Sequence, residues 1–260
     1  MTKYKSKFNN IGLGTRVITG AQIQRYYITD TPSQGDVIYI DNQNKPRLSS
    51  KRELEVSNPR IVLQRITGVD SKVRIISTLI NGNVYCANST NYIASDNSIN
   101  IKYLLGVLNS SLVNFFIKQT STNTNITAKV LNSIPIIIPS AKMKEAIIRI
   151  VDYILIIKSL SSDVIIDQYV DNDVIARQFE NIIDALVYEL YFSNDFIQAN
   201  ISFIDSVLRD FQIISANTEN VVHIIQDTFT KFRSIDNDIR NNLKYMSIKM
   251  ESLLAPIINI

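Results

Sequence analysis

A chain of 260 residues with 45% apolar side chains is long enough for one large domain or two ordinary ones. Its single cysteine, Cys86, excludes an internal disulfide framework and fits a reducing cytoplasm. No apolar run reaches the roughly 18 residues that cross a bilayer, so no membrane partner is expected. The basic start MTKYKSKFNN has no apolar stretch behind it, so no signal peptide is expected either. The net charge of +3 hides an asymmetry. Residues 1–140 hold 16 Lys+Arg and 7 Asp+Glu, whereas residues 141–260 hold 11 and 17. Clustered cations point to a phosphate-bearing partner for the first half; a solvated basic surface is the competing account.

Glycine and proline punctuate the chain unevenly. All seven glycines lie at or before Gly106, and five of six prolines at or before Pro139. The pattern predicts an α+β fold: a twisted, mostly antiparallel sheet with packed helices, then an all-helical C-terminal region. We place a basic, strand-rich domain at residues 1–140 and an acidic helical region at 141–260.

In chain order, IGLGT (11–15) reads as a flexible turn, because a lone Gly-x-Gly without a preceding strand or a third glycine is not a dinucleotide loop. GDVIYID (35–41) alternates as a strand, and RIVLQRI (60–66) reads as another. VRIISTLI (73–80) runs through Asn81-Gly82 into NVYCA (83–87), which predicts a hairpin with a type I′ turn. IKYLLGVLNSSLVNFFIK (101–118) sets Leu104, Leu105, Leu108, Leu112, Phe115 and Phe116 at helical spacing. SIPIIIP (133–139) reads as a further strand. Helical periodicity then dominates, in KMKEAIIRIVDYILIIK (142–158) and NDVIARQFENIIDALVYELY (172–191). From Ile225 to Leu253 apolar residues recur by threes and fours, a heptad-like seam for a long helix or a helical hairpin. Ser234 and Asp236 offer a capped break within it. The seam is either an ordinary core stripe or a surface for self-association.

The residues for catalysis are missing. His223, the only histidine, sits among apolar neighbours and reads as a half-buried structural residue. One His and one Cys exclude zinc sites built from those ligands. They also exclude Ser-His-Asp and Cys-His systems unless His223 serves alone. Asp36 or Asp41 with Gln43-Asn44-Lys45 is the nearest approach to a metal-dependent nuclease site, but that spacing looks like one strand and its turn. No catalytic residue and no metal ligand are assigned.

Three ordered stretches carry a resemblance. The first is Gly20-Ala21-Gln22-Ile23-Gln24-Arg25-Tyr26. The second is Asn58-Pro59-Arg60-Ile61-Val62-Leu63-Gln64-Arg65-Ile66 with the later Asn91-Tyr92-Ile93-Ala94. The third runs from Tyr103-Leu104-Leu105-Gly106-Val107-Leu108-Asn109-Ser110 through Phe115-Phe116 and a Thr/Asn/Ser loop to Ile134-Pro135-Ile136-Ile137-Ile138-Pro139. Together with Phe179 to Ile197, these stretches resemble the TaqI-like specificity (target recognition) domain of N6-adenine DNA methyltransferases and type IIG restriction–modification enzymes. They span about residues 18 to 200.

The resemblance implies double-stranded DNA as a partner. It also implies a catalytic methyltransferase domain in cis or as a separate subunit, with S-adenosylmethionine as the parent enzyme's cofactor. The six prolines are never adjacent, so the Asn/Asp-Pro-Pro-Tyr motif is absent. The cofactor glycine motif is absent too, so the chain alone is expected to bind no cofactor and to methylate nothing. The DNA-contacting residues implied are Arg25 and Tyr26, Gln64 and Arg65, and the loop with Lys118, Thr122, Asn123, Thr124, Asn125 and Lys129. Arg suits guanine, Asn and Gln suit adenine, and Lys suits phosphate. The rival reading is a helical protein-interaction module that docks another subunit without reading DNA.

Overall fold

The computed structural model describes residues 7–68, 73–95 and 98–258. The chain divides into two compact units, residues 1–109 with 116–134, and residues 110–115 with 135–260. It is α+β as expected, with small, mostly antiparallel sheets in the first unit and helices in the second.

The first unit contains β1 (Phe8–Asn9), β2 (Thr15–Ile18), β3 (Ile23–Gln24), β4 (Tyr27–Ile28), β5 (Ile38–Ile40), α1 (Ser50–Ser57), β6 (Arg60–Gln64), β7 (Ser77–Ile80), β8 (Tyr85–Cys86), β9 (Thr90–Ala94) and α2 (Ile101–Asn109). After these, α3 (Ser111–Thr120) and α4 (Ala128–Asn132) flank the polar loop. The strands form one sheet ordered β1-β5-β2-β8, the hairpin β3-β4, and a three-stranded sheet β7-β6-β9. β6 lies central because its apolar run can be buried on both faces; Ile61, Val62 and Leu63 are fully inaccessible. It pairs antiparallel on both sides, Leu63 opposite Ser77 and Asn91, Arg60 opposite Ile80 and Ala94. α2 packs on β6 and β7.

Buried polar groups fix this unit. The Asn109 amide nitrogen donates to the Ser77 carbonyl (3.0 Å), while its oxygen accepts from the Ser77 N–H (3.2 Å) and hydroxyl (2.8 Å). Arg60, 1% exposed, donates to the carbonyls of Glu55 (3.2 Å), Val56 (2.8 Å) and Val84. Two of those carbonyls belong to the last turn of α1, where a helix has no partners of its own to offer.

Three expectations are corrected. The Asn81-Gly82 hairpin does not form, because β8 leaves β7 and pairs parallel with β2, Val17 opposite Tyr85. The left-handed residue is Asn83, at φ 67. Gly82 is needed for close approach, since a Cβ there would sit 2.0 Å from the Ser57 carbonyl oxygen. SIPIIIP is irregular rather than a strand; Pro135 and Pro139 lack the N–H that a ladder requires. The helix expected over 101–118 breaks at Ser110. Asp184 accepts from the N–H (2.7 Å) and hydroxyl (2.6 Å) of Ser111, which starts α3 afresh.

The second unit holds α5 (Ala141–Ser159), α6 (Asn172–Tyr191), α7 (Ser193–Ala199), α8 (Ile204–Asp210), α9 (Val221–Arg233), α10 (Asp238–Lys249) and α11 (Glu251–Ile258). α5 and α6 bury their apolar faces against each other. Tyr153, Phe179, Phe211, Phe229 and Phe232 form an edge-to-face cluster, with centroids 5.0 to 6.3 Å apart. The heptad-like seam is interrupted. Asn237 caps α10 by accepting from the Arg240 N–H, and Ile235 is 74% exposed. Ile225, Phe229, Phe232, Ile239, Met246 and Met250 are buried in this unit's own core. His223 is exposed beside Asp227, at 3.5 Å, not half-buried as expected.

Asp210 ties α8 to the helices that follow. Its carboxylate meets Lys231 (2.7 Å), Arg209 (2.9 Å) and the Asn237 amide (2.9 Å). Burial would raise its pKa, but those donors outweigh burial and hold the carboxyl below its ordinary 3.8. A depressed folded value contributes stability above pH 3.8 that is lost as pH falls through the folded value. Asp210→Ala is therefore expected to cost about 2 kcal/mol at neutral pH, since it removes charge-assisted bonds from a buried acceptor. The gap in urea midpoint between variant and wild type should hold from pH 7 to about pH 4 and narrow as pH falls below 3.8.

Candidate nucleic-acid interface

β6 does not end cleanly at Gln64. The Arg65 N–H donates to the Ser89 carbonyl (3.0 Å) and the Thr67 N–H to the Thr124 carbonyl (3.1 Å), while the Ile126 N–H donates to the Arg65 carbonyl (2.8 Å). Ile66 thus lies opposite Asn125 in an antiparallel bridge. The Thr/Asn/Ser loop is grafted onto the exit of the central strand.

Arg74 completes the attachment. It is fully buried, and its guanidinium donates to the carbonyls of Ser121 (3.2 Å) and Asn123 (2.5 Å) and, at 3.4 Å, to the Thr67 hydroxyl. The Asn91 amide donates to the Ile126 carbonyl at 2.5 Å, and the Ile126 side chain is buried. These grips fall on main-chain atoms. Thr122, Asn123 and Thr124 keep exposed side chains, and Asn125 is half-buried. Asn123 Oδ1 accepts from the Asn125 N–H at 2.9 Å, which turns the loop. Thr127 then caps α4, the short helix that carries exposed Lys129.

The other sequence-derived residues separate into two groups. Arg65 is exposed, with Nη1 held by the Asn88 side chain (3.1 Å) and carbonyl (3.3 Å). Arg25 is half-buried at the β3–β4 turn, 5.9 Å from the Tyr26 ring centroid. Tyr26 and Gln64 are engaged in the fold. Tyr26 is 2% exposed at φ 67, and its N–H donates to the Ser77 carbonyl (3.0 Å). Gln64 Nε2 donates to the Ile23 carbonyl (2.7 Å), which ties β6 to β3. These bonds engage both residues in the scaffold, with Tyr26 buried and Gln64 half-buried. Lys118 is half-buried on the last turn of α3.

Register brings most of these groups together. Ser77 faces Leu63 across β6–β7, so the Arg25 turn, Arg65 and the loop gather at the Gln64 end of one sheet. Residues 97–144 contain no Asp or Glu, so no carboxylate from that stretch opposes the loop. Sequence reasoning missed Arg74, Asn88 and Asn91, the residues that hold this edge in shape. Among the described residues no cluster of His, Cys, Asp or Glu is arranged for a metal. Asp41 is a cap: bonds from the Asn44 side chain (2.7 Å) and N–H (2.8 Å) hold its carboxyl below the ordinary range.

Arg74→Met is expected to leave the sheet folded and loosen the loop. Amide exchange at 121–126 should accelerate by about tenfold or more, as both guanidinium bonds to the loop carbonyls are lost, with β6 amides unchanged.

Residues 15–136 match the family described as TaqI-like C-terminal specificity domain. No curated protein matches the chain significantly. Among solved structures, the type IIL restriction–modification enzyme MmeI in complex with DNA matches with a TM-score of 0.44 and 16% identity, over 90% of this chain and 32% of that one. The chain thus spans about a third of the length of that enzyme. The β3–β4 turn, the central strand and the grafted loop all lie within residues 15–136, the segment that matches the TaqI-like C-terminal specificity domain family.

Proposed function

We propose that the chain reads the sequence of duplex DNA as the specificity part of a restriction–modification enzyme. One observation carries this reading: an exposed Thr-Asn-Thr loop, held by its main chain, shares a sheet end with exposed Arg65 and with the Arg25 turn. Rigid placement matters, because a bidentate Asn or Arg discriminates bases only when its carrier does not move with them. Asn123 and Asn125 suit adenine edges, Arg25 and Arg65 suit guanine, and Thr122 and Thr124 suit phosphate or a thymine methyl. Lys118 and Lys129 suit the backbone.

On this reading the parent enzyme is an S-adenosylmethionine-dependent N6-adenine methyltransferase of type IIG organisation, acting in the cytoplasm. Its catalytic domain lies in cis or on a separate subunit, since this chain lacks an Asn/Asp-Pro-Pro-Tyr motif. The rival reading, a helical docking module, has in its favour the exposed Tyr169, Ile197, Ile213 and Ile248 of the second unit.

Selection from a random-sequence duplex pool tests both. DNA reading predicts enrichment of one sequence and affinity that falls steeply with salt; no enrichment together with stable self-association would favour docking. Arg65→Ala and Asn123→Ala should each relax one base position of the selected site, by about 1–3 kcal/mol. Lys129→Ala should weaken all sequences alike and lower the salt slope by about 1.

A further inference from the structure

Away from the loop, Lys45, Arg47, Lys51 and Arg52 place four exposed cations within eight residues. None of the four forms an ion pair among the described residues. The second unit pairs its cations freely, as in Lys142–Asp205 (2.9 Å), Lys158–Asp173 (2.8 Å) and Lys231–Asp210 (2.7 Å). Two carboxylates close in sequence to the basic stretch are engaged elsewhere. Asp41 caps the turn at Asn42–Asn44, and Glu55 accepts from the Tyr92 hydroxyl at 2.7 Å. Those donors are neutral and leave both carboxylates charged, so with exposed Glu53 residues 41–55 carry four cations against three acids, an excess of one positive charge.

The segment is also held in place. The capped turn fixes its start, and buried Arg60 clamps the last carbonyls of α1 at its end. Asn83 adds a bond to the Val56 carbonyl at 2.8 Å. The Arg60 and Asn83 anchors lie at the Arg60 end of β6, whereas the loop is grafted at the Gln64 end. Four residue steps along a strand separate the ends by about 13 Å.

We infer that Lys45–Arg52 is a second, sequence-indifferent site that grips the phosphodiester backbone of duplex DNA while the opposite end of the sheet reads bases. The inference rests on the DNA-reading proposal and adds to it a division between register and readout. Phosphates suit this segment because they ask for charge at a spacing rather than for one fixed rotamer, which flexible Lys and Arg heads on a fixed main chain supply.

The test uses the full chain and a labelled random-sequence duplex pool, titrated across a salt series. The variant carries Lys45→Gln, Arg47→Gln, Lys51→Gln and Arg52→Gln together. Circular dichroism and the thermal midpoint should stay as in wild type, because all four side chains are exposed. The slope of log affinity against log salt should fall by about 3, and low-salt affinity by about tenfold or more. The ratio of affinities between a selected sequence and the random pool should hold. A control carrying Lys144→Gln and Lys244→Gln removes exposed charge from the helical unit and should leave the slope in place. If the quadruple variant keeps the wild-type slope, or if the control lowers it equally per charge, the site is wrong and the reading proposal stands. If the wild-type chain binds no duplex at any salt, both fall.

Discussion

The grip of Asn109 on Ser77 sets the geometry of the first unit. One fully buried carboxamide satisfies the N–H, the carbonyl and the hydroxyl of a single residue. In doing so it fixes the C-terminus of α2 against the first residue of β7. The same Ser77 carbonyl takes the Tyr26 N–H, and the neighbouring Ile76 carbonyl takes that of Gln64. The β3–β4 turn and the exit of β6 are therefore located by a strand that is itself located by a helix. Truncating the amide would strand buried donors and acceptors on both sides, so the arrangement has little room for partial versions.

Two buried arginines extend this logic to the ends of the sheet. Arg60 gathers the carbonyls of α1 and of Val84, and Arg74 gathers those of Ser121 and Asn123. A guanidinium carries five donors in one plane and stays charged in a low-dielectric setting, so it can bond several carbonyls at once. A lysine in either place would bring a point charge with a different donor geometry. The chain thus uses arginine in two opposed ways. Arg60 and Arg74 face inward as staples, whereas Arg47, Arg52 and Arg65 lie exposed.

That double use explains what the sequence revealed and what it concealed. The long helices were legible, since periodicity over 142–158 and 172–191 reports a core face directly. The central strand was legible from RIVLQ, and the likeness to the specificity-domain family from the three stretches. The staples were not, because composition counts Arg60 and Arg74 as surface charge. Asn81-Gly82 misled for a related reason. Local turn chemistry matched a hairpin, but the non-local approach of Gly82 to Ser57 decided the path. Gln64 and Tyr26 sat in the expected stretch and were taken up by the fold, a distinction between outward and inward that depends on β3 packing across β6. The break at Ser110 depends on Asp184, which lies 73 residues along the chain from the Ser111 it caps.

The loop is attached through its main chain. Arg74, Thr67, Arg65 and Asn91 hold carbonyls and an N–H of Ser121, Asn123, Thr124 and Ile126, groups that every residue type except proline provides in full. Of the side chains from Thr122 to Asn125, only Asn123 has a bond within the loop, and it goes to the Asn125 N–H. Apart from that Asn123 bond, the shape of the edge is encoded outside the residues that occupy its surface. Side chains at 122, 124 and 125 can change without removing any of the grips, so what the loop presents can vary while where it is presented stays fixed.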